Sequence, residues 1–192
     1  MPNDAGKNAG SVPERNAGSV PERRAGSVPE RNAGRLVLAT VLVVGIVTAD
    51  QLSKLWAVRD LADGQVAIVG DTVDFRLARN TGIAFSLFGT FTPFLALIAL
   101  AVAFFLVRAV RSADEALTVV GLSFVLGGAL GNLGDRIFRS PGFLRGAVVD
   151  FVHLGAWPTF NVADSAITVG AVLLVIDALR PRRPVARAHF DD

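Results

Sequence analysis

RLVLATVLVVGIVTADQLSKLWAV, residues 35–58, decides what kind of protein this is. From Leu36 to Ala49 it holds no charged residue. The whole run, about 36–57, approaches the ~20 residues that a helix needs to cross a ~30 Å hydrocarbon core. Three similar runs follow: FTPFLALIALAVAFFLVRA at about 91–109, ALTVVGLSFVLGGALGNLGDRIF at about 116–138, and FNVADSAITVGAVLLVIDAL at about 161–180. Continuous apolar runs of this length can satisfy their backbone in lipid only as helices. The mean hydropathy of +0.49 fits the same class. The expected fold is an all-α membrane protein of four transmembrane helices. VAIVGDTVDFRL, between the first two runs, alternates around a Gly-Asp turn signal and predicts a small β-hairpin outside the membrane.

The flanks differ from this core. Residues 9–34 repeat the octad AGSVPERN/R, polar and interrupted by proline every eight residues. Such a segment buries too little surface to offset its ordering entropy. The division is therefore a disordered cytoplasmic tail at 1–34, a four-helix membrane domain at 35–180 and a cytoplasmic C-terminal tail at 181–192. Orientation follows from basic residues. Lys7, Arg15, Arg23, Arg24, Arg31, Arg35, Arg108, Arg111, Arg180, Arg182, Arg183 and Arg187 fall on one side, against Arg59, Arg76, Arg79, Arg136, Arg139 and Arg145 on the other. The positive-inside rule puts both termini in the cytoplasm.

That topology gathers the polar residues of the spans at one level, the outer leaflet. Asp50, Gln51 and Lys54 lie in the outer half of the first span. Asn132, Asp135 and Arg136 end the third. Asn161 and Asp164 open the fourth, with Asp150 in a short outer loop before it and Asn80 ahead of the second span. Structural readings exist for each. Asp50 and Lys54 have i,i+4 spacing and can neutralise one another. Asn132 with Arg136, and Asp135 with Arg139, can join neighbouring helices. Asn161 can cap a helix with Asp164 as its first-turn charge, and Asp150 can be an ordinary loop aspartate.

Together the residues point further. Ionisable groups at membrane depth are costly and by default mark function. Asp150 and Asp164 have no evident cation each, and two facing carboxylates in apolar surroundings share a proton. One is then a base and the other an acid at the same pH, an arrangement that activates water against an amide. With no cysteine and only His153 and His189, thiolate chemistry is excluded and a zinc site or histidine triad is disfavoured. No basic patch interleaved with aromatics supports nucleic-acid binding. Three rival readings stand beside it: a presenilin-type intramembrane protease, disfavoured because NLGD at 132–135 lacks the first glycine of Gly-x-Gly-Asp and the spans are too few; a small transporter with an ion path through Asp50, Lys54 and Asp135, which predicts an inverted repeat that the sequence does not show; and a non-enzymatic membrane scaffold.

DQLSK in the first span, NTGIAFS before the second, GNLGDR ending the third, VVDF and FNVADS around the start of the fourth occur in that order. As a set they resemble lipoprotein signal peptidase, the bacterial signal peptidase II, over about residues 36–180. The resemblance implies an aspartyl endopeptidase of the bacterial cytoplasmic membrane, multi-pass, with its active site at the outer leaflet. It would remove the signal peptide from diacylglyceryl-modified prolipoproteins, cutting just before the lipidated cysteine. It implies Asp150 and Asp164 as the catalytic dyad. Asn80, Asn132, Asp135, Arg136 and Asn161 would shape the site and hold substrate, with Asp50 and Lys54 as structural support. It implies no metal and no cofactor, membrane lipid and globomycin-type inhibitors as partners, no nucleic acid, and a monomer.

Overall fold

The computed structural model describes residues 28–70, 72–82 and 92–181. The order of elements along the chain is α1 (Val28–Asp60), β1 (Val66–Val69), β2 (Val73–Asn80), α2 (Thr92–Ser112), α3 (Ala116–Phe138), β3 (Val148–Leu154), β4 (Trp157–Phe160) and α4 (Val162–Leu179). All four helices are long and apolar enough to cross a membrane. They coincide with the four runs in the sequence, to within a few residues at most ends. The exception is the start of α1, which reaches back to Val28 and so past residue 34. The rest of the 1–34 segment, and the 181–192 segment beyond Pro181, lie outside the described residues.

α3 is the central helix and packs against α1, α2 and α4. Glycines make its closest approaches possible. A Cβ at Gly128 would stand 2.3 Å from the Ala163 carbonyl oxygen of α4, and one at Gly170 of α4 would stand 2.6 Å from the Gly121 oxygen of α3. Small residues that let backbones approach are how helices gain packing in lipid, where no hydrophobic force distinguishes side chain from solvent.

The four strands form one antiparallel sheet in the order β1-β2-β3-β4. The β1–β2 hairpin is the one the alternating segment predicts. The β3–β4 hairpin is not predicted, and it corrects the placement of Asp150: the residue lies within strand β3, where it pairs with Ala78 of β2. β3 lacks a legible alternation because Val148, Val149, Asp150 and Phe151 are all buried. A strand covered on both faces shows no period of two. The sheet is tied to the bundle by a cluster of Ala57, Leu61, Val149 and Phe151. Trp56 adds edge contacts to Phe75 at 5.6 Å and Phe151 at 6.0 Å. This docking sets Asp150 over the end of the bundle where α4 begins.

Candidate active site

α4 starts with a capping box. The Asn161 Oδ1 accepts from the Asp164 backbone N–H at 2.9 Å, and the Asp164 Oδ2 accepts from the Asn161 backbone N–H at 3.2 Å. The exchange satisfies donors that a helix N-terminus otherwise leaves open. It also fixes the Asp164 carboxylate, because the residue is at once first-turn anion and cap partner.

The same asparagine reaches the other aspartate. Asn161 Nδ2 donates to Asp150 Oδ1 at 2.6 Å, and lies 3.3 Å from the Val149 carbonyl and 3.1 Å from Asn132 Oδ1. Asn132 Nδ2 donates to Asp164 Oδ1 at 2.8 Å. Asn80, at the end of β2, hydrogen-bonds the Asp150 side chain, while its Oδ1 accepts from the Gly82 backbone N–H at 2.9 Å. Asp150 and Asp164 are thus joined through Asn161 and flanked by two further side-chain amides. Among the described residues, neither carboxylate has a cation within ion-pairing distance.

Beneath this amide layer lies a charged one. Lys54 is fully buried, and its Nζ contacts Asp50 Oδ2 at 2.8 Å, Asp135 Oδ2 at 2.9 Å and Asn132 Oδ1 at 2.9 Å. Three donors meet three acceptors, which is the capacity of an ammonium group. Asp135 also pairs with Arg139 and accepts from the Val149 backbone N–H at 3.1 Å, which pins β3 to α3. Asp50 Oδ1 accepts from the Ala163 backbone N–H at 2.9 Å, so α1 contributes a second cap to α4. The two carboxylates are balanced by Lys54 and Arg139. Gly131 is needed here, since a Cβ would come within 2.6 Å of Asp50 Oδ2.

Burial and the nearby charge of Asp164 push the Asp150 carboxyl up to about 6, partly opposed by its bonds to Asn80 and Asn161 and by the Lys54 charge. The Arg136 charge faces both Asp150 and Asp135, and its buried Nη1 has no hydrogen-bond partner among the described residues.

All nine residues named from the sequence therefore lie in or beside one cluster: Asp150, Asp164, Asn80, Asn132, Asn161, Asp135, Arg136, Asp50 and Lys54. Gln51, which the sequence places at the same level but to which it assigns no role, joins them. Gln51 Nε2 donates to the Gly131 carbonyl at 3.0 Å and lies 3.1 Å from Asp50 Oδ2, bridging α1 to α3. Its signals in the sequence are its level in the first span and its place inside the DQLSK motif. His153 is not part of the cluster. It pairs with Asp74 across β2 and β3, and Asp74 is held below the usual carboxylate range chiefly by its bonds to Arg76.

Comparison with known proteins identifies the family. The sequence profile of the Peptidase_A8 family, described as signal peptidase (SPase) II, matches residues 42–180. The lipoprotein signal peptidase of Rhodococcus jostii (strain RHA1) is 49% identical over 136 residues, covering 70% of this chain and 69% of the relative. That of Mycobacterium avium (strain 104) is 50% identical over 141 residues, covering 73% and 75%. A solved structure described as a bacterial membrane enzyme, determined by the in meso method at 1.9 Å resolution, superimposes with a TM-score of 0.66 at 27% identity. That match covers 76% of this chain and 94% of the other. With four helices long and apolar enough to span a membrane, a small antiparallel sheet and a profile match over residues 42–180, the chain belongs to the lipoprotein signal peptidase (signal peptidase II) family of bacterial membrane peptidases.

Proposed function

We propose that the chain is an aspartyl endopeptidase that removes the signal peptide from diacylglyceryl-modified prolipoproteins, cleaving just before the lipidated cysteine, with Asp150 and Asp164 as its dyad. The observation that carries this reading is that one residue, Asn161, binds both carboxylates, Asp150 through its side-chain amide and Asp164 through its backbone N–H, while Lys54 and Arg139 are bound to Asp50 and Asp135. Asp150 holds the shared proton, in keeping with its raised pKa of about 6. Asp164, with N–H donors on both oxygens, is the anion. It takes a proton from water, whose oxygen bonds to the scissile carbonyl carbon. Asp150 hydrogen-bonds the carbonyl and then protonates the leaving nitrogen as the C–N bond breaks. Asn132 and Asn161 steady the charge on the carbonyl oxygen. Asn80, Asp135 and Arg136 shape the site, and Asp50 and Lys54 support it.

In this reading both termini are cytoplasmic, following the arginine and lysine distribution. The sheet and the dyad then lie at the outer leaflet, and the substrate's diacylglyceryl chains stay in lipid, positioning the scissile bond without a large pocket. Residues 1–34 and 181–192 are cytoplasmic tails around the 35–180 peptidase domain. The enzyme acts as a monomer, needs no metal or cofactor, and is open to globomycin-type inhibitors.

The decisive experiment is cleavage of a diacylglyceryl-modified prolipoprotein by purified protein in detergent or liposomes, with Asp150→Asn and Asp164→Asn alongside. Cleavage before the modified cysteine, lost in both folded variants, is the expected result. Normal cutting by either variant rejects the dyad.

A further inference from the structure

The end of the bundle opposite the dyad carries a groove with no part in the chemistry above. α1 and α2 both pack along α3 but touch each other little. The gap between them has a volume of about 390 Å³. Leu36, Val43 and Val44 of α1 form one wall, Val107 and Val110 of α2 the other, and Leu130 of α3 the floor. Thr40 also lines it, but its hydroxyl donates to the Leu36 carbonyl at 2.8 Å, so its hydrogen is already used. From Leu36 to Val44 the groove runs ~12 Å along α1 at ~1.5 Å per residue. That is most of one leaflet of a ~30 Å hydrocarbon core.

The mouth is cationic. Arg111, in the last turn of α2, lines the groove. Arg35, the residue before Leu36, is bound to Asp114 at 3.3 Å. Arg111 itself has no ion pair or hydrogen bond among the described residues. A slender apolar slot one leaflet deep, with an uncommitted guanidinium at headgroup level, has the shape and charge of a lipid site. A guanidinium is the side chain best matched to phosphate.

We propose that this groove holds one acyl chain of an anionic phospholipid from the leaflet opposite the dyad, with the lipid phosphate on Arg111. A zwitterionic headgroup fits less well, because its own cation competes for the phosphate and faces the arginine. The site is independent of the catalytic reading.

The test is native mass spectrometry of the full chain from detergent, equilibrated with phosphatidylglycerol or with phosphatidylcholine of the same chain length. Wild type should retain one phosphatidylglycerol under conditions that strip phosphatidylcholine. Arg111→Gln should weaken phosphatidylglycerol retention about five-fold, the size expected for one basic residue at an anionic lipid. Val43→Phe should fill the slot and abolish retention of either lipid. Because Arg111 is exposed, its variant keeps the test valid even where the bulkier one fails to fold. Equal retention of both lipids, an Arg111→Gln variant that binds like wild type, a folded Val43→Phe variant that still binds, or a wild-type dimer split by Val43→Phe would each overturn the proposal.

Discussion

Two pairs of aspartates lie within one end of this bundle, and they are treated in opposite ways. Asp50 and Asp135 are matched by Lys54 and Arg139 and also accept backbone N–H groups from α4 and β3. They tie four elements together, α1, α3, α4 and β3, and leave no charge over. Asp150 and Asp164 are held by neutral amides, from Asn80, Asn132 and Asn161. Amides fix a carboxylate's position without cancelling its charge, so the second pair keeps its capacity to trade protons. The difference between charge-matched and amide-held carboxylates separates the frame from the site.

The contrast is sharpest in activity. Replacing Asp150 or Asp164 by Asn should lower kcat by ~10³–10⁴-fold, at the upper end of what positioned acids and bases supply. Circular dichroism of the same samples should show an intact fold. The matched pair should respond the other way round. Lys54→Met leaves two buried anions without their shared cation, a change expected to cost ~3–5 kcal/mol. Thermal unfolding in detergent reads it, and a Lys54→Met protein as stable as wild type would erase the distinction.

Asn161 belongs to both sides of the comparison. Asn161→Ala removes a helix cap, worth ~1 kcal/mol of stability, and one amide of the dyad. Activity should fall by ~10²-fold, as for loss of one oxyanion donor. A stability loss without a rate loss would make the residue purely structural.

The smallest effect concerns pH. The folded-state pKa of Asp150, about 6, lies above its ordinary value of 3.8. Between those values the folded chain binds more protons than the unfolded one, so stability falls as pH rises through that window and stays lower above it. Asp150→Asn should flatten this step and raise the unfolding temperature at pH 7. In the wild type, kcat/KM should decline above about pH 6 as Asp150 loses its proton, measured on the diacylglyceryl substrate across pH 5–9.

The spans were legible in the sequence because each is a continuous apolar run, and the cluster because ionisable residues at membrane depth stand out against it. Three features were not. Gln51 bridges α1 to the Gly131 carbonyl, a contact that depends on how two helices meet and leaves no trace in spacing. The bond from the Val149 N–H to Asp135 joins residues on separate elements, and only the i,i+4 partner Arg139 was visible. The β3–β4 hairpin was hidden because β3 is buried on both faces and β4, WPTF, is four residues long with a proline. Asp150 therefore read as a loop residue when it is a strand residue, held by main-chain pairing on β2 as well as by its side chain.

That hairpin separates two kinds of distance. Asp150 and Asp164 are far enough apart in the chain to sit on different elements, yet their spacing is fixed at the base of the ribbon, where Val152 pairs with Phe160 and Asn161 begins α4. The tip lies at Gly155, with a φ of +50° and its N–H on the Thr72 carbonyl at 2.7 Å. Residues added at the tip would lengthen an overhang and leave the root unchanged. Under the proposed function, the reach of this ribbon is thus free to vary while the root that spaces Asp150 from Asp164 stays fixed, which gives evolution a place to alter which substrates approach without touching how they are cut.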